Sequence, residues 1–189
     1  NQTFSGNEFL GIIGRIEDGS SDDLRLRGPA FGDVTFPLDD VAAIWNLELP
    51  PVLTTERRAV PELPPKEVLD SEGIALFETE RGGLATYHGP GQLVAYVFVD
   101  AFGRGLGVRG TVGALESGII AWLGTNGIAA GRNRHHRGVW VGSDKICAVG
   151  LHFRKGVSMH GIALNLTTDL APYELFTPCG IHDGGVTSV

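Results

Sequence analysis

Two cysteines are the candidates for nucleophilic chemistry in this chain, and their surroundings differ. Cys147 lies inside the apolar run 146–149, where a cysteine is typical core packing. Cys179 lies between Pro178 and Gly180, in a loop that a substrate can reach. An exposed loop cysteine is more often inert than catalytic, because a nucleophilic thiolate needs a nearby cation or base. Cys179 is the better candidate if the fold supplies that partner.

The partner comes from a small set, because the sequence contains only three lysines, Lys66, Lys145 and Lys155. Lys66 falls on a predicted acidic surface helix, and Lys155 follows Arg154 in a predicted turn, so both are typical of solvated charges. Lys145 stands where a predicted strand begins, directly before the apolar run that contains Cys147. Two interpretations of Lys145 remain open: a hairpin lysine in water, or a partly desolvated amine able to serve a thiol.

Segment 81–92 has four glycines around a Tyr-His pair. Small residues let a ligand approach backbone N–H groups, and Arg81 and His88 offer polar anchors, so the segment is predicted as a binding loop outside the core. An ordinary surface turn is the alternative. The tiny side chains at 148–150 and 161–163, in predicted strands, are typical of the wall of a narrow apolar channel.

Two other patterns do not predict cofactor sites. Residues 105–110 match GxGxxG between a predicted strand and a predicted helix, the context of a dinucleotide site. That site also needs an acidic residue after a second strand about 20 residues later, and residues 125–131 contain neither. The adjacent His135 and His136 have no acidic or thiol partner close in sequence, so no metal site is predicted.

The charge is unevenly distributed, with a net value of −7 for the whole chain. Residues 1–80 carry 6 basic and 16 acidic side chains, whereas residues 81–189 carry 9 and 6. The acidic total argues against broad nucleic-acid binding. Residues 132–137, with three arginines and two histidines, are either a solvated loop or a docking site for an acidic carrier. The sequence has no run of 18 apolar residues, so no membrane span is predicted.

The elements that position these residues follow from hydrophobic patterning. Strands are predicted at 43–49, 73–78, 93–99, 138–141, 146–153 and 160–166, and helices at 64–73 and 108–122. Consecutive strands joined by short turns pair antiparallel, so the predicted class is α+β, with a mixed, largely antiparallel sheet flanked by helices. Glycines interrupt residues 1–42, which are predicted as loops with one or two short strands.

Four stretches, taken in order, resemble the lipoyl(octanoyl) transferase family. They are Arg81-Gly-Gly…Thr-Tyr-His-Gly-Pro-Gly-Gln-Leu93, Gly138-Val-Trp-Val…Lys145-Ile, Met159-His-Gly-Ile-Ala-Leu-Asn165 and Pro178-Cys-Gly-Ile181 followed by Val186-Thr-Ser188. The resemblance implies the fold of biotin and lipoate protein ligases. It assigns residues 43–189 to the catalytic domain and leaves 1–42 as an unaligned N-terminal segment. Relatives usually continue for another helix, so the domain is expected to lack a C-terminal helix.

The resemblance also implies an activity. Family members are acyltransferases that move an octanoyl group from octanoyl-acyl carrier protein to a lysine of the lipoyl domains of 2-oxoacid dehydrogenases and of the glycine cleavage system, the first step of endogenous protein lipoylation. By the motifs, Cys179 is the acyl-accepting nucleophile and Lys145 its partner. The residues expected to line the acyl pocket are Arg81, Gly82, Gly83, Leu84, Ala85, Thr86, Tyr87, His88, Ala148, Val149, Gly150, Gly161, Ile162 and Ala163. No ATP, metal or other cofactor is expected, because the thioester already stores the activation energy.

Two other functions remain open on the sequence alone. An ATP-dependent lipoate or biotin protein ligase of the same fold would activate a free acid as an adenylate and would need no nucleophilic cysteine. A non-catalytic module would bind the carrier without any chemistry at Cys179. Neither nucleic acid nor membrane is expected as a partner. The predicted location is the cytoplasm, or an organelle matrix if a leader is missing from the sequence.

Overall fold

The computed structural model describes residues 50–56 and 63–189, together with the backbone of three earlier strands. The elements are β1 (Asp23–Gly28), β2 (Gly32–Pro37), β3 (Ala42–Asn46), β4 (Val52–Glu56), α1 (Lys66–Ser71), β5 (Ala75–Thr79), β6 (Thr86–His88), β7 (Gln92–Phe98), α2 (Gly107–Thr125), β8 (Gly131–Arg132), β9 (Val139–Val141), β10 (Asp144–Arg154), β11 (Val157–Asn165) and β12 (Gly185–Val186). Two 3-10 turns, Ala171–Leu175 and Pro178–Gly180, lie between β11 and β12.

A seven-stranded sheet forms the centre of the fold, in the order β3-β7-β11-β10-β9-β8, with β12 paired to the start of β10. The β10–β12 pair is parallel, and the other pairs in this sheet are antiparallel. One face packs against α2, whose buried Leu115, Ile119 and Leu123 recur at helical spacing. Burying each such side chain contributes about 1.5–3 kcal/mol. This face is the main hydrophobic core.

The opposite face of the same sheet carries small side chains in rows that cross the strands. Side chains alternate between faces along a strand, so the neighbours of the core residues point away from α2. One row consists of Ala148, Ala163 and Val94, and the next of Gly150, Gly161 and Tyr96. Four of these six positions are alanine or glycine, which leaves a channel above the sheet.

A second, three-stranded sheet in the order β5-β4-β6 stands beside this channel. Strand β4 pairs in parallel with β5 and antiparallel with β6. The sheet has its own apolar cluster of buried side chains, formed by Leu53, Leu69, Ile74, Ala85 and Tyr87. The two sheets therefore have separate cores, and the cleft between them is free to hold a site.

The segments with strong patterning lie close to their predicted positions. The strands predicted at 43–49, 73–78, 93–99, 138–141, 146–153 and 160–166 are β3, β5, β7, β9, β10 and β11, and the helices predicted at 64–73 and 108–122 are α1 and α2. Strands β1 and β2 agree with the one or two short strands expected before residue 43. The remaining residues of 1–42 lie outside the described part of the chain. In the described ranges, no helix is long and apolar enough to cross a membrane.

The prediction that segment 81–92 lies outside the core is wrong in part. Ala85 and Tyr87 are 6% and 3% exposed and belong to the second cluster, and Arg81 is buried as well. Residues 86–88 form β6, so the segment alternates like any strand, with Tyr87 pointing into the cluster while its neighbours face the cleft. Composition does not predict this three-residue strand, because glycines precede and follow it.

Candidate active site

A groove runs between the two sheets and contains about 530 Å³ of empty space, part of it open to solvent. Its floor is the pair of small-residue rows on β7, β10 and β11. Its roof is the turn at Arg81, Gly82 and Gly83, which is fixed to β10 because Gly82 N donates to Leu151 O at 3.1 Å. A Cβ added to Gly150 would lie 2.9 Å from Gly82 O, so floor and roof approach each other as closely as glycine permits.

Cys179 lies in the turn Pro178–Gly180 and lines the groove. Its backbone is left-handed, with φ 54° and ψ 20°, and is held by a hydrogen bond from Cys179 N to Ala85 O at 2.8 Å. A non-glycine residue in this region costs about 1–2 kcal/mol. Strained backbone of this kind is concentrated at functional sites, where the surrounding structure fixes it. The half-buried thiol is thus displayed from a turn that the second sheet holds in place.

Lys145 lies near the start of β10 and is 8% exposed, which settles the choice between a solvated and a desolvated amine. Its Nζ lies 5.1 Å from the centroid of the Trp140 ring, a cation–π contact from the neighbouring strand β9. Lys145 and Cys179 both line one small cavity with about 260 Å³ of empty space that includes open solvent, and this cavity also touches Ala148 and Ala163 at the near end of the groove floor. The fold therefore brings the predicted nucleophile and the predicted amine to one place.

The chain after Cys179 returns to the strand that carries Lys145. Strand β12 pairs with Asp144 and Lys145, and Thr187 N donates to Lys145 O at 3.0 Å. Asn165 Nδ2 in turn donates to Thr187 O at 3.0 Å, which attaches this segment to β11. No local pattern predicts this parallel pairing, because β12 has only two residues.

A second cavity, with about 750 Å³ of empty space that includes open solvent, lies on the side of Lys145 away from the groove. Its lining consists of Lys145, Leu170, Tyr173, Glu174, Pro178, Ile181, Gly184, Gly185 and Val186. Lys145 borders both this cavity and the small one that it shares with Cys179. A ligand can therefore reach Cys179 and Lys145 from two sides, through the narrow groove or through the wider cavity.

Arg81 is a structural residue of the roof. Its Nε and Nη2 donate to Thr54 Oγ1 at 3.1 and 2.9 Å, and Nη2 also donates to Thr54 O at 2.6 Å. Its Nη1 donates to Gly82 O and Gly83 O, both at 3.3 Å. The guanidinium has five N–H groups, so all of them are used by the protein. Burial lowers the pKa of Arg81, and nearby negative groups, Cys179 first among them, oppose that shift.

His88 belongs to a buried hydrogen-bond network that fixes its tautomer. Gln92 Nε2 faces the acceptors Tyr87 O at 3.1 Å and Asn165 Oδ1 at 2.9 Å, so Gln92 Oε1 must face His88 Nδ1, at 2.8 Å. Nδ1 therefore carries the proton, and Nε2 accepts from Thr54 Oγ1 at 3.2 Å. Burial, reinforced by the Arg81 cation and opposed by the Gln92 bond, lowers the pKa of His88 to about 4. The imidazole in the groove is neutral at pH 7.

This shift predicts a pH dependence of stability. The folded-state pKa of His88 is about 4, against about 6.5 in the unfolded chain, so between these values only the unfolded chain binds the proton. The contribution is complete above pH 6.5, falls as the pH drops toward 4, and amounts to about 3 kcal/mol at most. Urea unfolding of the wild type and of His88→Asn, whose amide can replace the Nδ1 donor, measures it. The wild type should lose more unfolding free energy than the variant between pH 7 and pH 4.5; equal losses would contradict the assignment.

Most of the predicted pocket residues line the groove together with Cys179, and two of them, Val149 and Ile162, do so while their side chains pack in the main core. The predicted residues that line the groove are Arg81, Gly82, Gly83, Thr86, His88, Ala148, Val149, Gly150, Gly161, Ile162 and Ala163. Ala85 and Tyr87 are buried in the second cluster. Leu84 is 38% exposed beside the turn Pro178–Gly180, and a Cβ added to Gly180 would lie 2.7 Å from Leu84 Cδ1. Sequence reasoning missed Thr54, Thr79, Val94, Tyr96 and His160, which also line the groove. Alternation along the predicted strand 93–99 is the signal that points to Val94 and Tyr96.

The basic segment 132–137 is anchored on α2. Glu116, only 3% exposed, accepts from Arg132 Nε at 2.9 Å and from Gly138 N at 3.0 Å, so one carboxylate holds both ends of the segment. His136 Nε2 lies 2.9 Å from Asp183 Oδ1, two residues before β12. The basic segment is thereby placed at the rim of the wider cavity. Among the described residues, no group of three metal-ligating side chains occurs.

Comparisons with known proteins give one consistent result. Residues 36–189 match the family model of the lipoyl protein ligase A/B catalytic domain. The octanoyltransferase of Alkaliphilus metalliredigens is 46% identical over 146 residues, covering 76% of this chain and 67% of that protein. The octanoyltransferase of Aromatoleum aromaticum is 47% identical over 137 residues, covering 72% and 58%. This chain thus spans about three fifths to two thirds of the length of these two relatives.

Solved structures give the same fold. A bipartite lipoate protein ligase from Thermoplasma acidophilum superposes with a TM-score of 0.56 at 19% identity, covering 80% of this chain and 63% of that one. A lipoate-protein ligase A bound with ATP superposes with a TM-score of 0.58 at 18% identity, covering 79% and 64%. At this identity the likeness shows the fold alone, and it confirms the predicted α+β architecture. The relatives named octanoyltransferase favour acyl transfer over the ATP-dependent alternative.

Proposed function

Because this chain belongs to the lipoyl protein ligase A/B catalytic domain family, we propose that it is an acyltransferase that moves an octanoyl group from octanoyl-acyl carrier protein to a lysine of lipoyl domains. One observation carries the proposal: Cys179 and Lys145 line the same small cavity, and Cys179 also lines an apolar groove. A thiol, an amine and a slot for a hydrocarbon chain are what thioester exchange followed by amide formation requires.

In the first half-reaction the Cys179 thiolate, paired with the Lys145 ammonium, attacks the carbonyl carbon of the carrier thioester. The new bond joins Cys179 Sγ to the octanoyl carbon, and the bond from that carbon to the carrier sulfur breaks. Lys145 gives its proton to the departing sulfur, so the carrier leaves as a thiol and Lys145 becomes a neutral amine. One thioester replaces another, so the step is close to balanced and needs no ATP.

In the second half-reaction a neutral lysine amine of the lipoyl domain attacks the acyl-enzyme. The new C–N bond forms, the bond to Cys179 Sγ breaks, and the neutral Lys145 takes the proton from the attacking nitrogen. This restores the thiolate and ammonium pair.

The two cavities suit the two kinds of group that must meet at Cys179. The groove floor of Val94, Ala148 and Ala163 takes the hydrocarbon chain, and each methylene that it buries contributes about 0.8 kcal/mol. The wider cavity beside Lys145 takes the carrier's thioester arm and then the acceptor lysine side chain. Arg134 and Arg137, at its basic rim, face solvent and suit acidic partner surfaces.

The test is transfer without ATP. The protein is incubated with octanoyl-acyl carrier protein and an unmodified lipoyl domain, and the lipoyl domain is weighed by mass spectrometry. We expect a gain of one octanoyl group without nucleotide. If the gain appears only when ATP and free octanoate are supplied, the chain is a ligase. If no condition produces it while the carrier still binds, the chain is a binding module.

A further inference from the structure

The groove floor ends at an aromatic pair. Tyr96 extends the row that contains Gly150 and Gly161, one row farther from Lys145 than Ala148 and Ala163. The small cavity shared with Lys145 touches Cys179, Ala148 and Ala163 but not this outer row. Cys179 therefore lies at one end of the groove, and Tyr96 lies toward the other.

His160 joins Tyr96 at that end because the backbone of β11 is distorted there. His160 has φ 60°, a left-handed conformation inside a strand, where regular alternation would direct its side chain toward α2. Instead, the imidazole lines the groove and meets the Tyr96 ring edge to face, with 5.9 Å between ring centroids. A histidine in this conformation is uncommon and costs about 1–2 kcal/mol, so the surrounding structure must impose it.

The side chains of the groove floor differ between the row nearer Lys145 (the inner row: Val94, Ala148 and Ala163) and the next one (the outer row: Tyr96, Gly150 and Gly161). At the inner row the side chains are the two methyl groups of Ala148 and Ala163 and the isopropyl group of Val94, and at the outer row Gly150 and Gly161 contribute none while two rings stand beside them. Burial, with Arg81 and His152, lowers the pKa of His160, so the imidazole is mainly neutral at pH 7. A neutral ring pair is compatible with the methyl end of a hydrocarbon chain.

The space between the two ends matches a medium-length chain. From Ala163 to His160 the strand advances three residues, which is about 10 Å at the usual rise. An extended eight-carbon acyl chain attached to Cys179 has a comparable reach, and it would end against the two rings. Longer chains would have to displace a ring that the sheet and the distorted strand hold in place.

We propose that Tyr96 and His160 form the distal wall of the acyl groove and set the upper limit of the acyl chain length. The proposal rests on the proposed function for its substrate, and it names the two residues that select medium-chain acyl groups. Neither residue takes part in the bond-making steps. Their effect is to exclude chains longer than the groove.

The first experiment compares octanoyl-, decanoyl- and dodecanoyl-carrier as donors for the wild type and Tyr96→Ala. One extra methylene in a hydrophobic pocket is worth about 10-fold or more in kcat/KM, so the wild type should discriminate strongly against dodecanoyl. Tyr96→Ala should raise the dodecanoyl-to-octanoyl ratio at least about 10-fold. Tyr96→Phe retains the ring and should keep the wild-type ratio. Tyr96 is 43% exposed, so its truncation does not open the core.

A second experiment measures the limit on chain length without any carrier, as the rate at which Cys179 is labelled by reagents of increasing length. Alkyl methanethiosulfonates, from butyl to dodecyl, transfer an alkylthio group to a thiol, forming a disulfide with Cys179 and releasing methanesulfinate. A Cys147→Ala background leaves Cys179 as the one thiol of the chain. Each labelling rate is divided by the rate of the same reagent with glutathione. The transferred sulfur and a heptyl chain together match the length of an octanoyl group, so the corrected rate should fall at least about 10-fold as the chain grows beyond heptyl. His160→Gly, which suits the positive φ, should remove the fall.

The outcomes separate this proposal from the proposed function. If the corrected rate shows no fall with length, or the same fall in Tyr96→Ala and His160→Gly as in the wild type, the wall is refuted. If the fall is present and both variants remove it, the wall stands, even when no octanoyl group is transferred from the carrier. In the case without octanoyl transfer, the proposed transferase function is refuted, whereas the proposed limit on acyl chain length is supported.

Discussion

Replacing Cys179 by serine is expected to lower octanoyl transfer by on the order of 10⁴-fold or more, because the variant lacks the thiolate that accepts the acyl group. Serine is close in size and keeps the hydrogen bond from the residue 179 N–H to Ala85 O. The measurement has two parts. Intact-protein mass spectrometry follows the octanoyl adduct on the enzyme, and a lipoyl-domain assay follows the product. Carrier binding should be retained, which separates loss of chemistry from loss of docking.

Cys147→Ala is the matched control for the thiol. Cys147 is 0% exposed, and burial raises its pKa to about 12, so it is an inert core residue. Its truncation should cost some stability but leave the adduct and the product rate per folded molecule intact. An adduct that persists in Cys179→Ser and disappears in Cys147→Ala would identify Cys147 as the nucleophile and contradict the proposal.

Replacing Lys145 by methionine is expected to lower transfer about 10²–10⁴-fold, the usual contribution of a positioned acid–base group. Methionine keeps the unbranched stem against Trp140 but has no ammonium, so the variant removes both the partner of the thiolate and the proton acceptor of the second step. Lys145 O still accepts from Thr187 N, because that bond belongs to the backbone.

Single-turnover kinetics show which step Lys145 serves. One experiment mixes the enzyme with octanoyl-carrier alone and follows adduct formation; another adds lipoyl domain to the preformed adduct and follows its decay. Both rates should fall in Lys145→Met. A variant that forms and discharges the adduct at wild-type rates would exclude Lys145 from the reaction and leave Trp140 packing as the reason for its burial.

Strong local patterns were enough to predict the main elements of the fold. The β-branched and aromatic residues of β7 and the helical periodicity of α2 are strong because each element buries one continuous face. Strands β4 and β8 were not predicted, and neither were β6 and β12, since three and two residues are too few for a pattern. The existence of β6 and β12 depends on distant partners: β6 pairs with β4, and β12 pairs with the start of β10.

The site was predicted less completely than the fold. Motif resemblance pointed to Cys179, Lys145 and the glycine-rich roof, but Thr54 and Thr79 reach the groove through the pairing of β4 with β5, which no local pattern reveals. The role of Arg81 also differs from its apparent one. An arginine beside glycines suggests a ligand anchor, whereas the Nε and Nη2 groups of Arg81 hold the roof against β4 and its Nη1 group donates to the carbonyls of Gly82 and Gly83 in the roof itself.

The return of the chain after Cys179 limits how the enzyme can move during turnover. Five residues, 180–184, connect the nucleophile to β12, which is paired beside Lys145. This connection keeps the Cys179 thiol near the Lys145 amine unless β12 separates from β10. The bond from Cys179 N to Ala85 O is a second attachment of the same turn, so the turn is held both by the second sheet and by β12. In the proposed reaction, Cys179 and Lys145 stay side by side between turnovers, and the carrier arm and the acceptor lysine reach them one after the other.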